Sequence, residues 1–209
     1  MLELFLDTET GGLDPYDHSL LSIAAIKVDS DFREIARFET YIRSDVFVVT
    51  PKAMEINRIN LAGSCAWPTH QEAKGLFLDF LGVTREVLEK PVKVDRWRIN
   101  GKNPAFDMGM LRAFFGFDVF DRVFMYAARD IQETYENLVE LGVYRPLGRH
   151  KLHDLCTALG IQHDEGALHN AMYDTEMTLR CAQKMHAVKR RLRSYIAKIP
   201  RNQPRPTAV

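Results

Sequence analysis

Two carboxylates close an apolar run at the start of the chain. Leu2-Glu3-Leu4-Phe5-Leu6 leads into Asp7-Thr8-Glu9, and Gly11-Gly12 follow at once. Side chains alternate along a strand, so the single intervening residue puts Asp7 and Glu9 on the same side of a sheet. Like charges held that close repel, and one tends to protonate unless a divalent cation relieves them. Three further residues have the chemistry to complete such a site. Asp107 follows Phe106 in the first turn of a helix opened by Pro104, and His169 and Asp174 lie five residues apart. On a continuous helix that spacing separates side chains by about 140°. His169 is therefore expected in the loop or first turn before a helix, with Asp174 inside it. Four carboxylates from three segments suit two Mg2+ or Mn2+ ions, because hard oxygen donors favour these over zinc. Two such ions about 3.5–4 Å apart stabilise the entering and departing oxygens of a phosphodiester under hydrolysis. A neutral His169 beside them would take a proton from the attacking water.

Positioning these groups requires a sheet edge with helices packed against it. The first third of the chain predicts strands at about 2–8, 20–28 and 35–43, with turns at Asp14-Pro15-Tyr16-Asp17 and Asp29-Ser30-Asp31. The first is almost wholly apolar, as a central strand covered on both faces should be. Pro51 opens a short helix. Thr69, with Glu72 three residues on, caps a helix running to about Leu81. A fourth strand is expected near Val92–Ile99, ended by Gly101-Lys102-Asn103-Pro104. The helix from Pro104 carries Phe106, Met110, Leu111 and Phe114 at helical spacing. A short strand around Arg122–Tyr126 and helices near 129–141 and 151–159 come next. A last helix from about Asn170 to Ile199 bears the stripe Met172, Leu179, Ala182 and Met185 before Pro200, Pro204 and Pro206 end regular structure. Strands first, then strands alternating with helices, is an α/β pattern with a mixed sheet.

The whole chain of 209 residues fits one domain, and its 46% hydrophobic content supports a full core. No run is long and apolar enough for a membrane span, and the N-terminus lacks the charge and apolar pattern of a signal peptide. Cys65, Cys156 and Cys181 are odd in number and widely spaced, so neither a disulfide framework nor a zinc site is expected. A cytoplasmic protein without membrane contact follows as the expectation. The zero net charge hides an asymmetry: residues 184–209 hold eight Lys or Arg and no acid, leaving 20 basic and 28 acidic residues before them. The division expected is therefore a domain over 1–183 and a basic helix end and Pro-rich tail over 184–209. That basic end suggests a polyanion contact, against the plainer reading of a solvated helix face. The other histidines, His18, His70, His150, His153, His163 and His186, show no ligand spacing and read as surface or capping residues. Trp67 and Trp97 read as core.

Three motifs in order carry a family resemblance. They are Asp7-Thr8-Glu9-Thr10-Gly11-Gly12-Leu13-Asp14-Pro15, then Asn103-Pro104-Ala105-Phe106-Asp107, then His169-Asn170-Ala171-Met172-Tyr173-Asp174. Thr50-Pro51-Lys52-Ala53-Met54-Glu55-Ile56-Asn57 and the segment Leu152–Ile161 add softer matches. Together they make the chain resemble the DnaQ-like 3′→5′ exonucleases, the DEDDh branch of the ribonuclease H-like fold. The resemblance implies a central mixed five-stranded sheet flanked by helices. It implies Asp7 bridging two metals, Glu9 and Asp174 on the metal that activates water, Asp107 helping to hold the second, and His169 as general base. It places Thr8, Thr10 and Leu13 against the terminal nucleotide, with Ile56, Asn57, Asn103 and Phe106 as further contacts. Lys102 stands where many members carry His, and Ser22 where many carry Glu. The substrate implied is a single-stranded 3′ end, DNA ahead of RNA, with nucleoside 5′-monophosphates released. Two other readings stay open: a polymerase's proofreading subunit that uses residues 184–209 as its contact, and an RNA-trimming enzyme of the ribonuclease T or oligoribonuclease type. Relatives of the latter kind act as homodimers. A purely binding module has no need of four clustered carboxylates, which repel a phosphate backbone unless metal is present.

Overall fold

The computed structural model describes residues 2–84, 88 and 95–198. A five-stranded mixed sheet forms its centre, in the order β3-β2-β1-β4-β5. β1 (Leu2–Thr10), β2 (Leu20–Val28) and β3 (Glu34–Tyr41) are antiparallel neighbours. β4 (Trp97–Gly101) and β5 (Arg129–Asp130) extend the sheet in parallel on the other side of β1. The match to the ribonuclease H-like expectation is direct: five strands, mixed, with helices on both faces.

The alternation of β1 feeds both faces. Leu4 and Leu6 join Ile23 and Ala25 in a layer completed by α2 (His70–Leu81), α3 (Pro104–Phe115) and α4 (Phe117–Val123). Phe5 joins Ile26 and Val28 in a second layer, completed by α5 (Ile131–Glu140), α6 (Leu152–Ala158) and α7 (Ala171–Ile196). A strand that must satisfy two apolar layers has no polar position to spare in its middle, which is why residues 4–6 are uniformly apolar. Between β3 and α2 lie the short α1 (Pro51–Asn57) and a 3₁₀ turn at Leu61–Ala66. α2 starts with the predicted capping box between Thr69 and Glu72 and stops at Gly82, whose φ of 74° suits the residue without Cβ.

Several boundaries differ from expectation. Residues 92–94 of the expected fourth strand lie outside the described residues; β4 starts at Trp97 and continues to Gly101. The apolar stretch at 122–126 is not a strand. Its first part ends α4, in which Phe120 and Val123 repeat at helical spacing and bury into the first layer. Phe124 contributes only a single bridge to Trp97. The fifth strand is instead Arg129–Asp130, and α5 follows directly, with Asp130 Oδ1 accepting from the Gln132 N–H at 2.8 Å. Burial of a 3–4 spaced aromatic face outweighed the strand preference of the individual residues.

α7 is one helix across the expected division at 183/184. Gln183 Nε2 donates to Phe32 O at 2.7 Å and Lys184 Nζ to Leu159 O at 2.8 Å. Leu179, Ala182 and Met185 are buried along it and Met172 is half-buried. All three cysteines are free thiols, and among the described residues no helix is long and apolar enough to cross a membrane.

Candidate active site

The carboxyl end of β1 meets the start of α7. Asp7 pairs with Ala24 and Glu9 with Ser22 of β2, and both share the face on which Phe5 packs under α7. Asp174 lies in the first turn of α7, so it approaches from above. Ligand oxygens of Asp7, Glu9 and Asp174 all lie within 4.8 Å of one another. His169 precedes the helix, as the 140° separation requires. Asn170 caps α7, its side chain accepting from Tyr173 N–H, and His169 sits before it with φ 66°. The His169 N–H donates to Asp174 Oδ2 at 3.2 Å. One carboxylate is thereby tied to the residue expected to act beside it.

Thr8 points the other way. Its hydroxyl donates to Asp107 Oδ1 at 2.7 Å, and Asp107, in the first turn of α3, is only 3% exposed. Asp107 stands outside the three-carboxylate group yet close enough for its charge to act on Asp7 and Glu9. The turn after β1 holds this edge in shape. A Cβ on Gly11 would lie 2.3 Å from Val48 O, so only glycine fits against that backbone.

The electrostatics follow from the crowding. Burial, then the charges of Asp107, Glu9 and Asp174, hold the Asp7 carboxyl well above its usual range, with Lys102 opposing. Glu9 is pushed up to about 8 by burial and by Asp174 and Asp107. Burial raises Asp107 to about 7, against the Thr8 hydroxyl and backbone N–H groups. Asp174 rises to about 6 by burial, against the His169 N–H. Lost solvation, then the positive charges of Arg58 and Lys151, lowers His169. Asp174 Oδ1 is buried and has no hydrogen-bond partner among the described residues. Oxygen donors that repel each other, one of them unpaired, fit a hard divalent cation.

The expected substrate contacts divide. Glu9, Asn57 and His169 line one cleft of about 350 Å3. Leu13 and Ile56 are 83% and 40% exposed. Asn57 is buried; its Nδ2 donates to Thr10 O at 3.0 Å and its Oδ1 accepts from Ile59 N–H at 3.0 Å, which braces the end of β1. The Thr10 hydroxyl turns inward to Gly12 O at 2.7 Å. Asn103 is exposed with φ 56°, and its N–H donates to Asp130 Oδ2 at 3.3 Å. Phe106 is half-buried near the start of α3. Leu13, Ile56, Asn103 and Phe106 are not among the residues lining this cleft.

Several cleft residues escaped the sequence reading, Tyr41, Trp67 and Arg58 among them. Tyr41 and Trp67 stack with ring centroids 4.8 Å apart and form a wall of the cleft, although Trp67 reads as core by type. Arg58 lies one position past the motif ending at Asn57, with φ 56°. Ser22 also lines the cleft, opposite Glu9. Lys102, which stands where many family members carry His, is half-buried, and its charge reaches Asp7.

The geometry has counterparts among solved structures. E. coli exonuclease I in complex with a dA16 oligonucleotide superposes with a TM-score of 0.73 at 24% identity, over 94% of this chain and 43% of that one. A zinc-bound form of the E. coli enzyme with single-stranded DNA gives 0.71 at 24% identity, over 94% and 42%. A structure of exonuclease I described as suggesting how processivity is achieved gives 0.72 at 25% identity, over 94% and 43%. The chain thus spans less than half the length of these proteins. The family model RNase_T, described as exonuclease, matches residues 4–182, from the core of β1 to beyond Asp174. With that span covering most of the sequence and all three motifs, the chain belongs to the ribonuclease T exonuclease family, the DnaQ-like group with a ribonuclease H-like fold.

Proposed function

We propose that this protein is a metal-dependent exonuclease that hydrolyses the terminal phosphodiester at the 3′ end of a single strand, DNA ahead of RNA, releasing nucleoside 5′-monophosphates. The observation that carries the reading is the convergence of Asp7, Glu9 and Asp174 within 4.8 Å, with His169 bonded to Asp174. Asp7, Glu9 and Asp174 hold one cation, and Asp107, with Asp7, helps to hold a second. Two Mg2+ or Mn2+ ions, when bound, supply the positive charge that stabilises the developing oxyanions and relieve the carboxylate repulsion.

The remaining chemistry belongs to the chain. His169 accepts the proton of the attacking water at an imidazole nitrogen; its lowered proton affinity keeps it neutral near pH 7, as a base must be. The Tyr41–Trp67 wall offers a stacking surface for a base beside Glu9. A cleft of about 350 Å3 beside Glu9 fits a substrate presented as one unpaired nucleotide. The dA16 ligand of exonuclease I supports a single strand as substrate.

The test uses 5′-labelled DNA and RNA oligomers of matched sequence with Mg2+, Mn2+ or EDTA. The expected result is a ladder shortening from the 3′ end, dependent on metal and abolished by Asp7→Ala. Digestion that survives Asp7→Ala, or no digestion with either metal, would sink the proposal. Tyr195 and Ile196, 69% and 63% exposed at the end of α7, favour one alternative: a proofreading subunit that docks on a polymerase through this helix end. Binding to a purified DNA polymerase that is lost in Tyr195→Ser/Ile196→Ser would support it.

A further inference from the structure

Of the eight cations that follow residue 183, α7 carries five: Lys184, Lys189, Arg190, Arg191 and Arg193. Lys184 is spent on the carbonyls of Leu159 and Gly160 at the end of α6. His186, Lys189, Arg190 and Arg193 recur at steps of three, one and three, which places them on one side of α7. There they meet Arg129 of β5 around a cavity of about 190 Å3, floored by Phe32 and Met185. That volume corresponds to roughly six waters at about 30 Å3 each.

The cavity carries more positive charge than it neutralises. Glu3, 6% exposed, is met by Arg129 at 3.4 Å and by Arg98 at 3.9 Å. Arg190 pairs with Asp31 at 3.1 Å, which also faces His186 at 3.9 Å. Two acids thus answer Arg98, Arg129 and Arg190, while the side chains of Lys189 and Arg193 make no hydrogen bond or ion pair with a described residue. Lost solvation and the charges of Arg129 and Arg193 lower the proton affinity of Lys189, as expected of a cation held among cations. The negative end of the helix dipole accounts for Arg193, in the last turn. It does not account for Lys189, one turn earlier, because the effect fades within the last turn.

We propose that this cavity is a phosphate-binding site, separate from the carboxylate cluster and served by Lys189, Arg193 and Arg129. It lies toward the opposite end of β1, since Glu3 precedes Asp7 by four residues, about 13 Å of strand. Along α7, Asp174 and Lys189 are about 22 Å apart. Even a strand stacked as in a duplex, rising about 3.4 Å per nucleotide, spans such distances within roughly four to seven nucleotides, and an extended single strand does so with fewer. The phosphate has two possible sources, a nucleic-acid strand or a free inorganic or nucleotide phosphate. The site does not depend on the proposed cleavage, and binding measured in EDTA tests it apart from that reading.

The experiment compares the full chain with Lys189→Ala/Arg193→Ala and with Arg191→Ala/Lys198→Ala, which removes equal charge from exposed positions outside the cavity. Each is titrated with inorganic phosphate, with a labelled dinucleotide and with a labelled sixteen-nucleotide DNA, in EDTA across a salt series. Thermal melts establish that both variants fold. If a strand supplies the phosphate, the cavity variant loses about tenfold or more in affinity for the long oligomer and little for the short one. Its log–log salt slope then drops by about 1.4, two contacts at about 0.7 each for a single strand. If the source is free phosphate, saturable phosphate binding disappears in the cavity variant while oligomer binding is unchanged. Equal losses in the two double variants, or no loss in either, would overturn the site.

Discussion

At the scale of single residues, the site is a set of acids held in a state they resist. Glu9, Asp107 and Asp174, at about 8, 7 and 6, bind protons more tightly folded than unfolded. Near pH 4 and below, both states are protonated and these groups cost nothing. As pH rises toward 8 the unfolded chain ionises first, so the folded state loses relative stability, and the loss is complete above about 8. The melting temperature in EDTA should therefore fall between pH 5 and 8, and saturating Mg2+ at pH 8 should restore several degrees, at about 2–4 °C per kcal/mol for a chain this size. A melting temperature flat across that range in EDTA would contradict the picture. For the same reason Asp7→Asn should melt higher than the parent in EDTA while losing cleavage. His169→Ala should reduce kcat by about 10²–10⁴-fold, the range for a general base, with oligomer affinity in EDTA preserved. Asp7 and Glu9 were legible because alternation and strand-end position determine where carboxylates point, and Asp174 because its five-residue step from His169 puts it inside the helix. Thr8 and Asn57 were expected only as substrate contacts. What their side chains do, bonding Asp107 and Thr10 O, depends on which element packs opposite, and no local pattern encodes that.

At the scale of elements, two devices hold the site. The Thr8–Asp107 bond ties β1 to α3 across the first layer. Thr8→Val removes the donor and leaves a buried carboxylate oxygen short of a partner, so a loss of about 1–3 kcal/mol is expected, read as a lower midpoint in urea. The layer beneath is built on Phe77, fully buried, with ring contacts to Phe38, Phe80, Phe115 and Phe124. Phe77→Ala should cost about 3–5 kcal/mol by the same measurement, because an aromatic cluster cannot collapse to fill the gap. Strong local signals located most of these elements: the apolar β1, the Thr69–Glu72 box, Pro104 and the stripe of α7. The 122–126 region failed because its residues suit either state, and only its spacing, seen once Phe120 and Val123 are known to face one layer, selects the helix. β5 is two residues long, too short for any periodicity to reveal it.

At the scale of the molecule, the carboxylates sit at an edge of a sheet whose two apolar layers are complete without them. Chelation should therefore abolish cleavage while leaving the far-ultraviolet circular dichroism unchanged at pH 7 and 25 °C. Loss of helical signal in EDTA would mean that metal also holds the fold. The alternation of β1 has a further consequence, one of parity. Odd-numbered positions, Phe5, Asp7 and Glu9, serve the α7 face, and even-numbered ones, Leu4, Leu6 and Thr8, serve the other. Deleting or inserting one residue within 3–6 turns every later side chain of the strand over. No such change can keep both the core and the carboxylates in place. A change of two residues keeps the faces but moves the acids by about 7 Å, away from Asp174. The length of this strand is therefore fixed against steps of one and of two alike.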